Sequence, residues 1–333
     1  LMKTLEYIGK RAASSVLVIA IITVCLFLIF YMLPTNPAQL SCGKPCSVEQ
    51  LNRVSAFMGT DKPWYAQLWN YLRGIFAGRV FGTGGAAVVC SAPCLGYSFR
   101  LNEPVTQLIL DRFPVTASIA VGAAVLWLII GVFFGVVSAI ARGTWIDRGI
   151  LGISAVGISS PSYLIGLLAV IAFALKLRIF PSGGYVSFQQ DPLGWLYHLL
   201  LPWLVLAILS AAGYTRITRS QMIDELGQDY IRTARSKGIP ESKVVLKHAL
   251  RNAMLPVLTI FGLDLGGLLG GAVLTEKVFS MQGLGTLLLD SVSNLDLQVL
   301  VGATLFAAVL VIVANLIVDI GYSLLDPRVT LHQ

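Results

Sequence analysis

The sequence is poor in charge. Asp, Glu, Lys and Arg make up 12% of its 333 residues, well below the roughly 25% of an ordinary soluble domain. Histidine is rarer still, with three residues in all. His198 and His248 stand at the borders of apolar runs, His332 lies near the end, and none has metal-ligand spacing. No GxxxxGK[ST] loop occurs, which removes the recognisable cradle for nucleotide phosphates. There is no GxSxG elbow and no HExxH pair either, so the usual serine-hydrolase and zinc-peptidase signatures are absent. No internal repeat is evident, and intramembrane charge is scarce; secondary carriers usually show both.

What fills the chain instead is apolar. Hydrophobic residues reach 56% and mean hydropathy is +0.78, the composition of an integral membrane protein. A helix rising 1.5 Å per residue needs about 20 apolar residues to cross some 30 Å of hydrocarbon. Six stretches qualify: 12–33, 113–141, 149–175, 199–217, 253–274 and 299–325. The first is too long for a secretory signal core, and no small-residue cleavage site follows Tyr31-Met32-Leu33-Pro34, so it is expected to stay as an anchor. Cations then fix the sidedness. With the N-terminus cytosolic, Lys3, Lys10, Arg11, Arg142, Arg148, Arg216, Arg219, the basic loop and Arg328 all fall inside, whereas the shorter outer loops hold only Lys176, Arg178 and Lys277. The net charge of +7 thus reads as topology and attraction to anionic lipid, with no nucleic-acid partner expected.

The external loop, 34–112, contains Cys42, Cys46, Cys90 and Cys94 in two CxxxC pairs. An oxidising compartment favours disulfides there, and four cysteines allow three pairings. No metal site is expected. A helix is predicted around Ser47–Met58, an interfacial aromatic stretch at Trp64–Tyr71, and a glycine-rich turn at 82–85. In the fifth span Gly262, Gly266 and Gly270 follow GxxxG spacing, which lets helices approach closely or lines a passage. Pro161 and Pro202 can kink their spans. Asp264 is the one acid near the middle of a span, where a charge is costly; it is a candidate for a translocation path or a proton relay.

The loop 218–252 is different in kind. Within it and just beyond, Arg232, Arg235, Lys237, Lys243, Lys247 and Arg251 face a single acid, Glu241, over the stretch Tyr230–Pro256. Gly238 can end a helix in the left-handed conformation, and Pro240 starts a new one. Before the break, Tyr230, Ala234 and Lys237 fall at i, i+4 and i+7, which predicts one face.

This loop, DYIRTARSKGIPESKVVLKHALRNAMLPVLT, resembles the EAA signature of ABC-importer permeases, in the form used by the dipeptide/oligopeptide/nickel branch. Thr233-Ala234 followed by Gly238 matches the EAAxxxG core; Arg232 stands where the general motif has Glu, and Pro256 lies farther from the glycine than in sugar permeases. Further likeness runs through YIGKRAASSVLVIAIITVCLFLIFYMLPTNPA, GAVLTEKVFSMQGLGTLLLDSV and LLDPRV.

The resemblance implies an all-α, six-span, type I permease in a bacterial cytoplasmic membrane, both termini cytosolic. A cytosolic coupling helix is implied at Tyr230, Ile231, Thr233, Ala234, Lys237, Gly238, Ile239 and Pro240. The path or gate would draw on Asp264, Gly266, Gly270 and Phe279, and the segment 274–289 is expected to form a re-entrant or external scoop. Partners would be a second, homologous permease, two ATPase subunits that bind ATP and Mg²⁺, and an external substrate-binding protein. No cofactor is expected in this chain. The cargo would be a peptide, with a nickel complex or oligosaccharide as the family alternative; a proton-coupled carrier using Asp264 is the rival outside the family.

Overall fold

The computed structural model describes residues 2–32, 38–39, 47–59, 61–82 and 87–325. Its long helices are α1 (Met2–Met32), α4 (Val105–Ile140), α7 (Pro192–Leu226), α9 (Glu241–Leu269) and α12 (Leu297–Leu325). Each carries a window long and apolar enough to cross a membrane.

The third predicted span is not one straight helix. Residues Trp145–Ser159 (α5) and Ser162–Lys176 (α6) meet at 98°. Pro161 is the cause. Its ring disfavours helical geometry at the preceding residue, and Ser160 (ψ 127°) and Pro161 (ψ 126°) are both extended. Two extended residues turn the chain, and α6 finishes in wide π-helical turns over Val170–Lys176.

The chain forms two compact units. The first contains residues 1–116, 269–273 and 282–312. The described part of the loop 34–112 is more ordered than its sequence implied. It forms α2 (Val48–Met58), closed by a reciprocal Ser47–Gln50 capping box, then α3 (Trp64–Ala77). Strands β1 (Arg79–Phe81) and β2 (Val88–Cys90) pair antiparallel with Val80 opposite Val89. A second pair, β3 (Tyr97–Ser98) and β4 (Glu103–Pro104), follows. Phe57, Phe81, Tyr97 and Phe99 pack beside a Cys90–Cys94 disulfide. Of the three pairings open in sequence, only the one that joins Cys90 to Cys94 survives; Cys42 and Cys46 lie outside the described residues, as does most of the glycine-rich turn. In α3, Trp64, Tyr65 and Trp69 are exposed, as an interfacial helix requires, while Tyr71 is buried against Phe27. Ser98 donates to Asp296 at 2.5 Å, both buried.

The second unit contains residues 117–268, 274–281 and 313–333. Here α4 and α7 pack closely through glycines. A Cβ at Gly131 would lie 2.5 Å from that of Tyr214, and one at Gly135 would lie 2.5 Å from that of Thr218. Gly131 and Gly135, spaced as GVFFG in the second span, let these two helices approach closely. Segment 274–289 is divided between the units: residues 274–281, with most of α10 (Val273–Val278), belong to the second, and α11 (Leu284–Ser293) belongs to the first.

Candidate functional site

The basic loop folds as predicted at its break. Helix α8 (Asp229–Ser236) ends in a Schellman motif: Ile239 N–H bonds to Ala234 O (3.3 Å) and Gly238 N–H to Arg235 O (2.9 Å). Gly238 has φ +71°, the left-handed region that glycine occupies without a Cβ penalty. Pro240 then caps α9, its carbonyl accepting from Lys243 and Val244. Across the turn Arg235 grips Glu241 with two bonds of 2.6 and 3.1 Å. Both groups are largely exposed, so the pair fixes the turn's geometry more than its stability.

The predicted face, however, is divided. Tyr230 and Lys237 are exposed, whereas Ala234 is buried with Ile231. These two, at i and i+3, insert into a cluster with Met222, Val244, Val245 and Ala249, against which Ile239 also packs. Ala234 is thus a contact within the chain, and the outward surface is Asp229, Tyr230, Arg232, Thr233, Ser236 and Lys237. The Ile231–Ala234 spacing was the sequence signal for this orientation.

Tyr230 is tied down as well. Its hydroxyl donates to Glu225 at the end of α7 and accepts from Asn252 Nδ2 on α9 at 3.0 Å. Burial, followed by the bond to Glu225, pushes the phenol up to about 12, so it remains a donor at neutral pH. One side chain on the loop helix therefore reaches both flanking spans.

A second polar centre lies between the same spans. Tyr214 on α7 donates to Asp264 Oδ2 on α9 at 2.7 Å, beside Trp127, which packs on Tyr214 and Phe261. Asp264 is exposed within a cleft of about 490 Å³ that Ser160, Ser162 and Ser210 also line. Gly266, Gly270 and Phe279 do not line it. Gly266 is buried in α9, Gly270 lies just past its end, and Phe279, 1% exposed, has its carbonyl bonded by Gly184 N–H at 3.0 Å.

Sequence reasoning missed one buried ion pair. Arg219 on α7 donates to both oxygens of Asp147 at 2.7 and 2.8 Å. Ser138 Oγ (2.6 Å) and Gly143 N–H (2.9 Å) complete the carboxylate's shell. The partners are 72 residues apart, and nothing local in the sequence pairs them.

Membrane-length helices, a cleft with a carboxylate in its lining and a short polar helix bonded to two of the spans are the features of a membrane permease. The chain belongs to the family of binding-protein-dependent transport system inner membrane components, which matches residues 131–331; the N-terminal membrane-component domain of these systems matches residues 4–120. It is therefore a multi-pass inner-membrane permease of the ABC-importer class. It is 40% identical over 320 residues to a protein of Brucella abortus (strain 2308) named as a peptide transport system permease, covering 96% of this chain and 97% of that one. Against the oligopeptide transport system permease protein AppB of Bacillus subtilis (strain 168) the identity is 38%, covering 97% and 98%. Against the glutathione transport system permease protein GsiC of Escherichia coli (strain K12) it is 36%, covering 98% and 99%.

Proposed function

We propose that this chain is one of two paired permeases in an ATP-driven peptide importer, with both termini and the loop 218–252 in the cytosol. The observation that carries the coupling role is α8. Its apolar side is sunk into its own chain, its polar side is presented outward, and Tyr230 bonds to α7 and α9 together. The polar side is where an ATPase subunit docks. ATP and Mg²⁺ belong to those subunits, and the chain itself hydrolyses nothing. ATP binding closes the ATPases, α8 moves, and the population shifts between outward-open and inward-open cleft according to which state ATP binds better. An external binding protein delivers the cargo. Peptide is the class favoured by the names of the relatives.

The test is the full complex in proteoliposomes with Gly238→Val. No heavy atom lies within 4 Å of a Cβ there, but φ +71° strains any L side chain, by about 1–3 kcal/mol. Peptide uptake is expected to collapse while ATP hydrolysis continues; uptake equal to wild type refutes the coupling role. Mass spectrometry of the ligand held by the co-purified binding protein tests the cargo. A peptide is expected, and a nickel complex or an oligosaccharide overturns that part.

A further inference from the structure

Asp264 presents a physical problem that the transport reading leaves open. It is an exposed carboxylate on a membrane-length helix, five residues before α9 ends at Leu269. Facing hydrocarbon is costly for a carboxylate, about 2.5 kcal/mol or more at a span's centre, so this side of α9 faces a wet or polar space. The cleft beside it meets that need, since Ser160, Ser162 and Ser210 line the same space. Its volume of about 490 Å³ is within the roughly 300–1,000 Å³ of small-ligand sites.

The carboxylate is also oriented and only half used. Tyr214 holds Oδ2 at 2.7 Å, whereas Oδ1 has no hydrogen-bond or ion-pair partner among the described residues. A fixed, half-satisfied carboxylate in this cleft suits a cation carrying several N–H donors. Trp127, 2% exposed, packs against Tyr214 at the edge of the same cleft and helps hold that phenol in place. The rest of the lining, including Leu206, Leu209 and Ile260, is apolar and offers nothing specific to side chains of varied shape.

We propose that Asp264, positioned by Tyr214, is the subsite that receives the protonated terminal amine of the transported peptide as it crosses the chain. The inference rests on the peptide-importer reading above. A single carboxylate, with one oxygen already engaged, holds the amine firmly enough to admit it and weakly enough to release it, as conduction through a pore requires. Recognition of the amine, common to every unblocked peptide, also leaves the side chains unread.

The experiment uses proteoliposomes containing the complete transporter and one peptide in two forms, amino terminus unblocked or N-acetylated. Uptake of each is measured for wild type, Asp264→Asn and Asp264→Glu. Whatever preference the binding protein sets is common to all three, so a changed preference arises in this chain. Asp264→Asn is expected to lower the preference for the unblocked peptide by about tenfold, the value of one charge-assisted hydrogen bond. Asp264→Glu should retain most of that preference, and uptake of the acetylated form should stay within about twofold in all three. The same preference in wild type and Asp264→Asn overturns the proposal, as does an equal loss of both forms, which would make the carboxylate a packing or assembly residue. If the wild-type complex hydrolyses ATP but imports neither form, the peptide reading itself fails and takes this subsite with it.

Discussion

Tyr230→Phe removes one oxygen from the loop helix and keeps the ring. That oxygen donates to Glu225, at the end of α7, and accepts from Asn252 of α9. A hydrogen bond to a charged group contributes about 1.5–3 kcal/mol when sheltered. Tyr230 is 40% exposed, which places this one at the low end, about 1.5 kcal/mol, or roughly tenfold in the ratio of docked to undocked helix. Amide hydrogen exchange over 229–237 should therefore accelerate by about tenfold. The number of peptides imported per ATP hydrolysed should fall with it, because a loosely held helix moves without carrying α7 and α9. The folded state favours the neutral phenol, so the contribution is full below the ordinary tyrosine value near 10 and is lost as pH rises through about 12. From about pH 6 to 9 the wild-type exchange rate should show no change traceable to this group. Unchanged exchange and unchanged transport stoichiometry in the mutant would refute the argument that Tyr230 links the loop to the spans.

Asp147→Ala leaves Arg219 without its partner in a mostly buried site, a loss of about 3 kcal/mol; melting in detergent should show a clear destabilisation, partly restored by Arg219→Met in the same chain. Gly135→Leu forces side-chain atoms into Thr218 Cβ and Thr215 O, already 2.5 and 2.9 Å from a single added carbon. It should cut the yield of monodisperse protein, whereas Gly267→Ala, with nothing within 4 Å, should be tolerated. Replacing Cys90 and Cys94 by Ser opens a loop of sequence separation 4, worth roughly 2 kcal/mol in the chain-entropy account; proteolysis of the loop 34–112 should accelerate, and equal protease resistance would count against a stabilising role.

The spans were legible because hydrocarbon thickness converts directly into a count of apolar residues. The Gly238–Pro240 break was legible for a similar reason: few residues end or begin a helix, and both were present. The lost signals were of another kind. Apolar stretches on either side of Ser160-Pro161 run together in hydropathy, so a 98° turn leaves no mark beyond one proline. Spacing puts Ala234 on one face with Tyr230 and also three residues from Ile231, and it is the apolar pair that turns inward. The GxxxG of the fifth span stood out beside Asp264, while GVFFG, which meets Tyr214 and Thr218, was hidden among aromatics. Bonds such as Asp147–Arg219 and Tyr214–Asp264 depend on which helices become neighbours, and a single sequence does not reveal that.

Helices α7 and α9 are joined by two rungs. One runs from Glu225 through Tyr230 to Asn252, the other from Tyr214 to Asp264. The rungs are 11 residues apart on one helix and 12 on the other, or about 17 Å of rise. Between them α9 contains Pro256, which offers no N–H to the carbonyl of Asn252 and weakens the rail where it leaves the lower rung. A ladder with one softened rail does not slide when its foot is pushed; it racks. Under the proposed coupling role, a thrust at the loop would tilt the lower rung and turn Asp264 about its tether to Tyr214.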